Sequence, residues 1–249
     1  MHRLQYRNQG GYETLVLTHT VGAPASTTFG TFRAAPRYYE LRRALPGGNF
    51  MIQEQATFAP ADGVSRWMSS AAEDNQGNLA LGYSVSSGAA GGNIFPGIRF
   101  AGRLATDPPG GLFQGEATLI NGTGVQRSTG NRWGDYSSLT VDPSDDCTFW
   151  YTQEYYTAAG QAASTVGWQT RIGNFKFSQC TAPAMGTLSG TVTYCETGAP
   201  YPAPSSLWTE TFMEPPRPMA RIPSLFRLAP TQYKSRPAAK TARRVLLRM

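Results

Sequence analysis

Charge is scarce in this chain of 249 residues: Asp, Glu, Lys and Arg together make up 15%. With 12% aromatics and 45 residues of glycine and proline, that excludes a coiled coil, a collagen and a mainly helical bundle. Histidine and cysteine are scarcer still. His2 and His19 lie far from Cys147, Cys180 and Cys195, too few and too scattered for a zinc-type site. No apolar run approaches the roughly 18 residues of a membrane span. The opening Met1-His2-Arg3-Leu4-Gln5-Tyr6-Arg7 has no signal-peptide core either, so neither a span nor an export signal is expected in the chain as written.

What remains reads as an all-β chain with two unlike parts. The formal charge of +6 belongs to the C-terminal stretch, where residues 201–249 hold nine Lys/Arg against Glu210 and Glu214. The first 200 residues are close to neutral and carry all 27 glycines, so a boundary falls near Pro200. Basic side chains can grip phosphates, but the prolines from Pro202 to Pro230 forbid a long helix and no aromatic ladder is interleaved. A nucleic-acid partner is therefore not expected, and residues 201–249 are expected to be disordered or frame-shifted sequence. For Cys147 and Cys180 two readings stand: buried free thiols, or a disulfide closing a loop of about 30 residues, which typically stabilises by about 3 kcal/mol.

The body repeats itself. Arg66-Trp67 leads to Asp74, Gly77-Asn78 and the run Leu79 to Ser84; Arg132-Trp133 leads to Asp142, Asp145-Asp146 and the run Cys147 to Thr152. Each copy predicts an apolar strand, an Asp/Asn/Gly turn and a second strand. Tyr12 to His19 predicts one more strand. Alternating segments at Pro36–Arg42, Pro96–Arg103 and Gln169–Phe175 recur out of phase, each with an arginine before an apolar residue. A period of about 60 to 70 residues holding about four short strands is the size of a large propeller blade. The expected fold is all-β, a partial β-propeller of about three four-stranded blades over residues 1–182. A linker and first strand of a sandwich-like module follow at 183–200, then the irregular tail.

Asp74-x-x-Gly77-Asn78-Leu79-Ala80-Leu81-Gly82-Tyr83 resembles the turn and strand of Asp-box (bacterial neuraminidase repeat) propellers, and Gly134-Asp135-Tyr136 with Asp142 and Phe149-Trp150-Tyr151-Thr152 resembles the sialidase-like pattern. The resemblance covers about 180 of 249 residues. It implies the C-terminal blades of a large secreted bacterial protein, with further blades upstream, Met1 an internal methionine and an extracellular or cell-surface location. Gly186 to Thr193 and Thr197-Gly198-Ala199-Pro200 look like the start of a carboxypeptidase-regulatory-like module, whose continuation is missing after Pro200.

Several groups could carry chemistry. Arg37, Arg99 and Arg171 invite comparison with a carboxylate-binding arginine cluster, although one arginine per repeat is also what a structural repeat produces. Glu154 with Tyr155 supplies the carboxylate and phenol types of a sialidase, yet neighbours on a strand face opposite sides. Trp133, Asp135 and Tyr136 form the candidate pocket for a sugar or peptide, with Glu154 and Tyr155 alongside. Asp142, Asp145 and Asp146 make an oxygen-rich loop suited to Ca²⁺ or, more simply, to capping a hairpin turn; no other cofactor is expected. The leading expectation is a non-catalytic extracellular scaffold or binding module for glycans or proteins, and the alternative a fragment of a sialidase-type glycoside hydrolase.

Overall fold

The structure is a computed structural model and describes residues 4–23, 31–130, 132–187 and 211–213. Strands dominate. β1 (Gln5–Asn8), β2 (Tyr12–Gly22), β3 (Ala34–Ala44) and β4 (Met51–Thr57) form a first antiparallel sheet in chain order. β5 (Ser65–Glu73), β6 (Leu79–Ser86), β7 (Gly97–Arg103) and β8 (Glu116–Ile120) form a second in the same way. β9 (Ser138–Val141), β10 (Phe149–Tyr155) and β11 (Gln169–Phe175) form a third. β12 (Met185–Thr187) pairs with β13 (Thr211–Met213). The one α-helix among the described residues, α1 (Ala158–Ala163), starts on Thr157, whose hydroxyl accepts from the Gly160 N–H.

The chain is thus all-β, made of antiparallel meanders that do not close into a barrel among the described residues. Residues 188–210 and 214–249 lie outside the described residues, and with them the disordered or frame-shifted tail and most of the module expected at 183–200. The third sheet has three strands where four were expected. Its first strand also begins later than the repeat suggested. Arg132 to Ser137 is loop, because Gly134 and Asp135 are poor strand formers and pairing starts only at Ser138.

The second sheet sits between the other two. β2 and β3 pack on β5, while β9 meets β5 and β10 meets β6 and β7 on the far side. Covered on both faces, β6 is buried along nearly its whole length, which is why it reads as a continuous apolar run rather than an alternation. One core joins Val16 and Tyr38 to Leu79, Leu81, Tyr83 and Val85. The other joins Ala72, Ala80 and Ile98 to Leu139, Phe149 and Tyr151.

The second core is built from small residues against large ones. A Cβ on Gly82 would stand 2.6 Å from the Tyr151 ring, and one on Gly102 2.3 Å from the Phe177 ring. Both glycines are therefore sites of close approach by an aromatic, from the third sheet for Gly82 and from the chain just after β11 for Gly102. Phe100 and Phe175 stack with centroids 3.7 Å apart across the same junction.

Buried charges tie the strands together. Arg66 is fully buried; its guanidinium bonds to Asp62 at 2.5 Å and Glu116 at 2.7 Å, and Glu116 also accepts from Tyr83 and Arg99. These partners hold Arg66 above its ordinary pKa in spite of burial. Between the first two sheets, Glu40 pairs with both Arg42 and Arg103, and Arg103 also reaches Glu54 at 2.8 Å. Such pairs cost desolvation, and removing one partner would leave the other as an uncompensated buried charge.

The Asp-rich turns close hairpins at one end of the sheets. Asp74 accepts from the N–H groups of Gln76 and Asn78 at 2.9 and 3.0 Å. Asp145 does the same for Cys147 and Thr148 at 3.0 and 2.9 Å. At this end the first strands of the three sheets converge: Gln5 Nε2 donates to the Leu139 carbonyl, and Arg7 pairs with Asp146. A cavity of about 230 Å³ lies between them, bordered by Gln5, Arg7, Glu73, Thr140 and Asp146. Cys147 and Cys180 form a disulfide with their Cα atoms 5.7 Å apart, which ties the start of β10 to the chain beyond β11.

Candidate functional site

At the opposite end of the sheets, loops build a cleft of about 430 Å³. Its walls come from the start of β5 (Trp67), the segment after β6 (Ile94, Pro96) and the loop before β9 (Gln126, Arg132, Trp133). Trp67 and Trp133 meet edge to face with ring centroids 5.6 Å apart, and Trp133 also lies 5.8 Å from the Tyr156 ring. The Trp133 indole N–H donates to Ser84 Oγ at 2.9 Å, which fixes its plane against the second sheet.

A bulge aims Trp67 into the cleft. The pairing of β5 with β6 slips between Trp67 and Ser70, and Met68 there takes φ +49°, a conformation an unbranched residue adopts only when its surroundings over-determine it. They do. The Met68 carbonyl accepts from Ser137 Oγ at 2.8 Å and Gln153 Nε2 at 3.0 Å, and its N–H donates to Thr20 Oγ1 at 3.2 Å. All three sheets therefore hold the peptide that positions Trp67.

The expected site residues gather only in part. Trp133 is in the cleft, and Asp135 pairs with Arg132 at its rim. Tyr136 is 69% exposed beside them. Glu154 accepts from the Gly134 N–H at 2.9 Å; burial pushes its carboxyl up from the ordinary range, and the Asp135 charge adds to that. Tyr155 goes elsewhere, to the core between the second and third sheets. Glu154 and Tyr155 thus face opposite sides of β10, as neighbours on a strand must.

The three aspartates of the β9–β10 turn diverge. Asp142 accepts from Ser144 and from the Trp150 indole at 2.9 Å, Asp145 from the turn backbone, and Asp146 pairs with Arg7. Burial opposes ionisation of Asp145, but the backbone N–H groups of Thr148 and Cys147 hold it down at about 2. Among the described residues no three or more His, Cys, Asp or Glu side chains are grouped to hold a metal ion.

The arginines do not meet either. Arg37 bonds to Tyr39, Thr57 and Gln55 on the first sheet, Arg99 to Glu116 on the second, and Arg171 is exposed on the third. Arg99 and Arg171 stand opposite matching residues of their neighbour strands, Tyr83 and Gln153. Arg37, opposite His19, is displaced along the strand.

Trp67 and Arg132 escape a search for single site residues, yet the signal was present as the duplicated Arg-Trp pair. Its two copies diverge in use: Arg66 is fully buried whereas the Arg132 side chain is exposed. Comparison of the chain with family models, curated proteins and solved structures finds no match. No helix among the described residues is long and apolar enough to cross a membrane.

Proposed function

We propose that this chain is a non-catalytic binding module or scaffold of an extracellular protein, with its three sheets serving as sialidase-like propeller blades and its cleft taking a glycan or a protein loop. The observation that carries this reading is the cleft itself: two tryptophans anchored by hydrogen bonds and packing, with Arg132 and Asp135 as a polar rim. Rigid aromatics flanked by a few polar groups suit a sugar ring or a peptide side chain. The disulfide between Cys147 and Cys180 is consistent with an oxidising compartment.

The test is a titration of tryptophan fluorescence against a panel of neutral and acidic oligosaccharides and short peptides. Truncating a central tryptophan costs about 2 kcal/mol or more, or about 30-fold in affinity, and Trp133→Ala is expected to weaken the bound ligand by that much. Saturable binding unchanged by Trp133→Ala would move the site elsewhere. A second reading, a sialidase-type glycoside hydrolase, draws on the Glu154 carboxyl raised beside Asp135. It requires turnover of a fluorogenic sialoside that Asp135→Asn abolishes. The placement of Tyr155 in the core, away from Glu154, favours the binding module.

A further inference from the structure

Among the described residues the first sheet leaves one face uncovered, and between the polar pairs Glu13–Arg43 and His19–Arg37 that face carries an apolar row. Tyr6, Leu15, Leu41 and Ile52 stand opposite one another across all four strands, a continuous apolar row, with Leu17 opposite Tyr39 beside it. Tyr6 and Ile52 are each 56% exposed. An antiparallel sheet with one solvated face normally turns polar residues to that side, and an apolar row there marks a surface meant to be covered.

The hairpin-closing pairs Asn8–Glu13, Glu73–Leu79 and Val141–Phe149 align the three sheets residue by residue. By this alignment Leu15 corresponds to Leu81 and Tyr151, and Leu17 to Tyr83 and Gln153. In the second and third sheets those residues are buried against the preceding sheet. On the opposite side, Trp150, Thr152 and Glu154 of the third sheet correspond to Ala80, Gly82 and Ser84 of the second, which are covered by the sheet that follows. Among the described residues nothing covers this second face on the third sheet, which carries Ile172, opposite Thr152 and 67% exposed.

We infer that a second copy of this chain stacks head to tail, the free face of its first sheet covering the free face of the third sheet, by the same sheet-on-sheet step that relates the sheets within the chain. Continuing that step sets Thr152 and Ile172 against Leu15 and Leu41, as Gly82 is set against Tyr151 inside the molecule. The charges agree with the direction. Arg37, at the His19 end of the first sheet's free face, bonds the uncharged Tyr39, Thr57 and Gln55 among the described residues. Glu154, at the same end of the third sheet's free face, has the Gly134 N–H as its partner. The stack brings the two together. Contacts between unlike faces close into a ring or extend as a filament.

Sedimentation velocity of the whole chain tests this with two variants, Leu41→Arg on the first sheet and Ile172→Arg on the third. The wild-type chain is expected to associate, and each variant alone to sediment as a monomer. Mixed in equal amounts, the variants are expected to form a heterodimer through the one intact pair of faces, which also shows that both are folded. A monomeric wild type overturns the inference. So does an Ile172→Arg variant that still dimerises, since that would mean pairing of like faces, and so do variants that fail to complement on mixing.

Discussion

Glu73 is the third carboxyl in a cluster that has two arginines. Glu40 and Glu54 engage Arg42 and Arg103, Tyr38 donates to Glu54 at 2.5 Å, and Glu73 is left 3% exposed with no ion pair among the described residues. Burial pushes its carboxyl from 4.5 up to about 7; the Glu40 charge adds to this, while Thr14, Arg42 and Arg103 offset it in part. Because the folded-state value is the higher one, the unfolded chain loses this proton first as pH rises. Stability from this group is complete below the unfolded value near 4.5, falls between there and about 7, and is fully lost above. At about 1.4 kcal/mol per pH unit, the loss across that window comes to about 3.5 kcal/mol.

Glu73→Gln keeps the shape and removes the proton. Urea unfolding of both proteins at closely spaced pH values reports the difference directly, since every other titrating group is common to the two. The variant is expected to gain on the wild type by about 1.4 kcal/mol per pH unit between about pH 5 and pH 7, then to hold a constant lead. Parallel stability profiles over that range would refute the assignment of a buried, protonated Glu73.

Two further perturbations test the packing. Cys147 and Cys180 are 33 residues apart, and releasing a loop of that length by Cys180→Ser is expected to lower unfolding free energy by about 3 to 4 kcal/mol, read from the urea midpoint under non-reducing conditions. A reductant should bring the wild type to the same value. Gly82→Ala pushes a Cβ to 2.6 Å from the Tyr151 ring, and overpacking of this kind costs about 1 to 3 kcal/mol. Thermal unfolding checks it, and an unchanged midpoint would mean that the second and third sheets are not in contact there.

Much of the local structure was legible in the chain itself. The strand at Tyr12–His19, the run at Leu79–Ser84 and the alternating segments Pro96–Arg103 and Gln169–Phe175 were all found as strands, because a period of two and β-branched or aromatic side chains are decided by neighbours in sequence. The Asp74 and Asp145 turns were legible for the same reason: an aspartate bonds the backbone two to four residues on.

Which of these residues meet was decided only by the tertiary structure. Arg66 and Arg132 begin identical Arg-Trp pairs, yet one is locked under Glu116 while the other lies in the open. The first occupies a paired strand and the second a loop opened by Gly134. Trp67 reaches the cleft because a bulge at Met68 is held by Thr20, Ser137 and Gln153, three side chains remote in sequence. The aspartates of the β9–β10 turn separate because Arg7, Trp150 and the turn backbone each claim one. Short-range geometry belongs to the sequence; the sharing of partners among distant segments depends on how the sheets stack, and that appears only when the chain is folded.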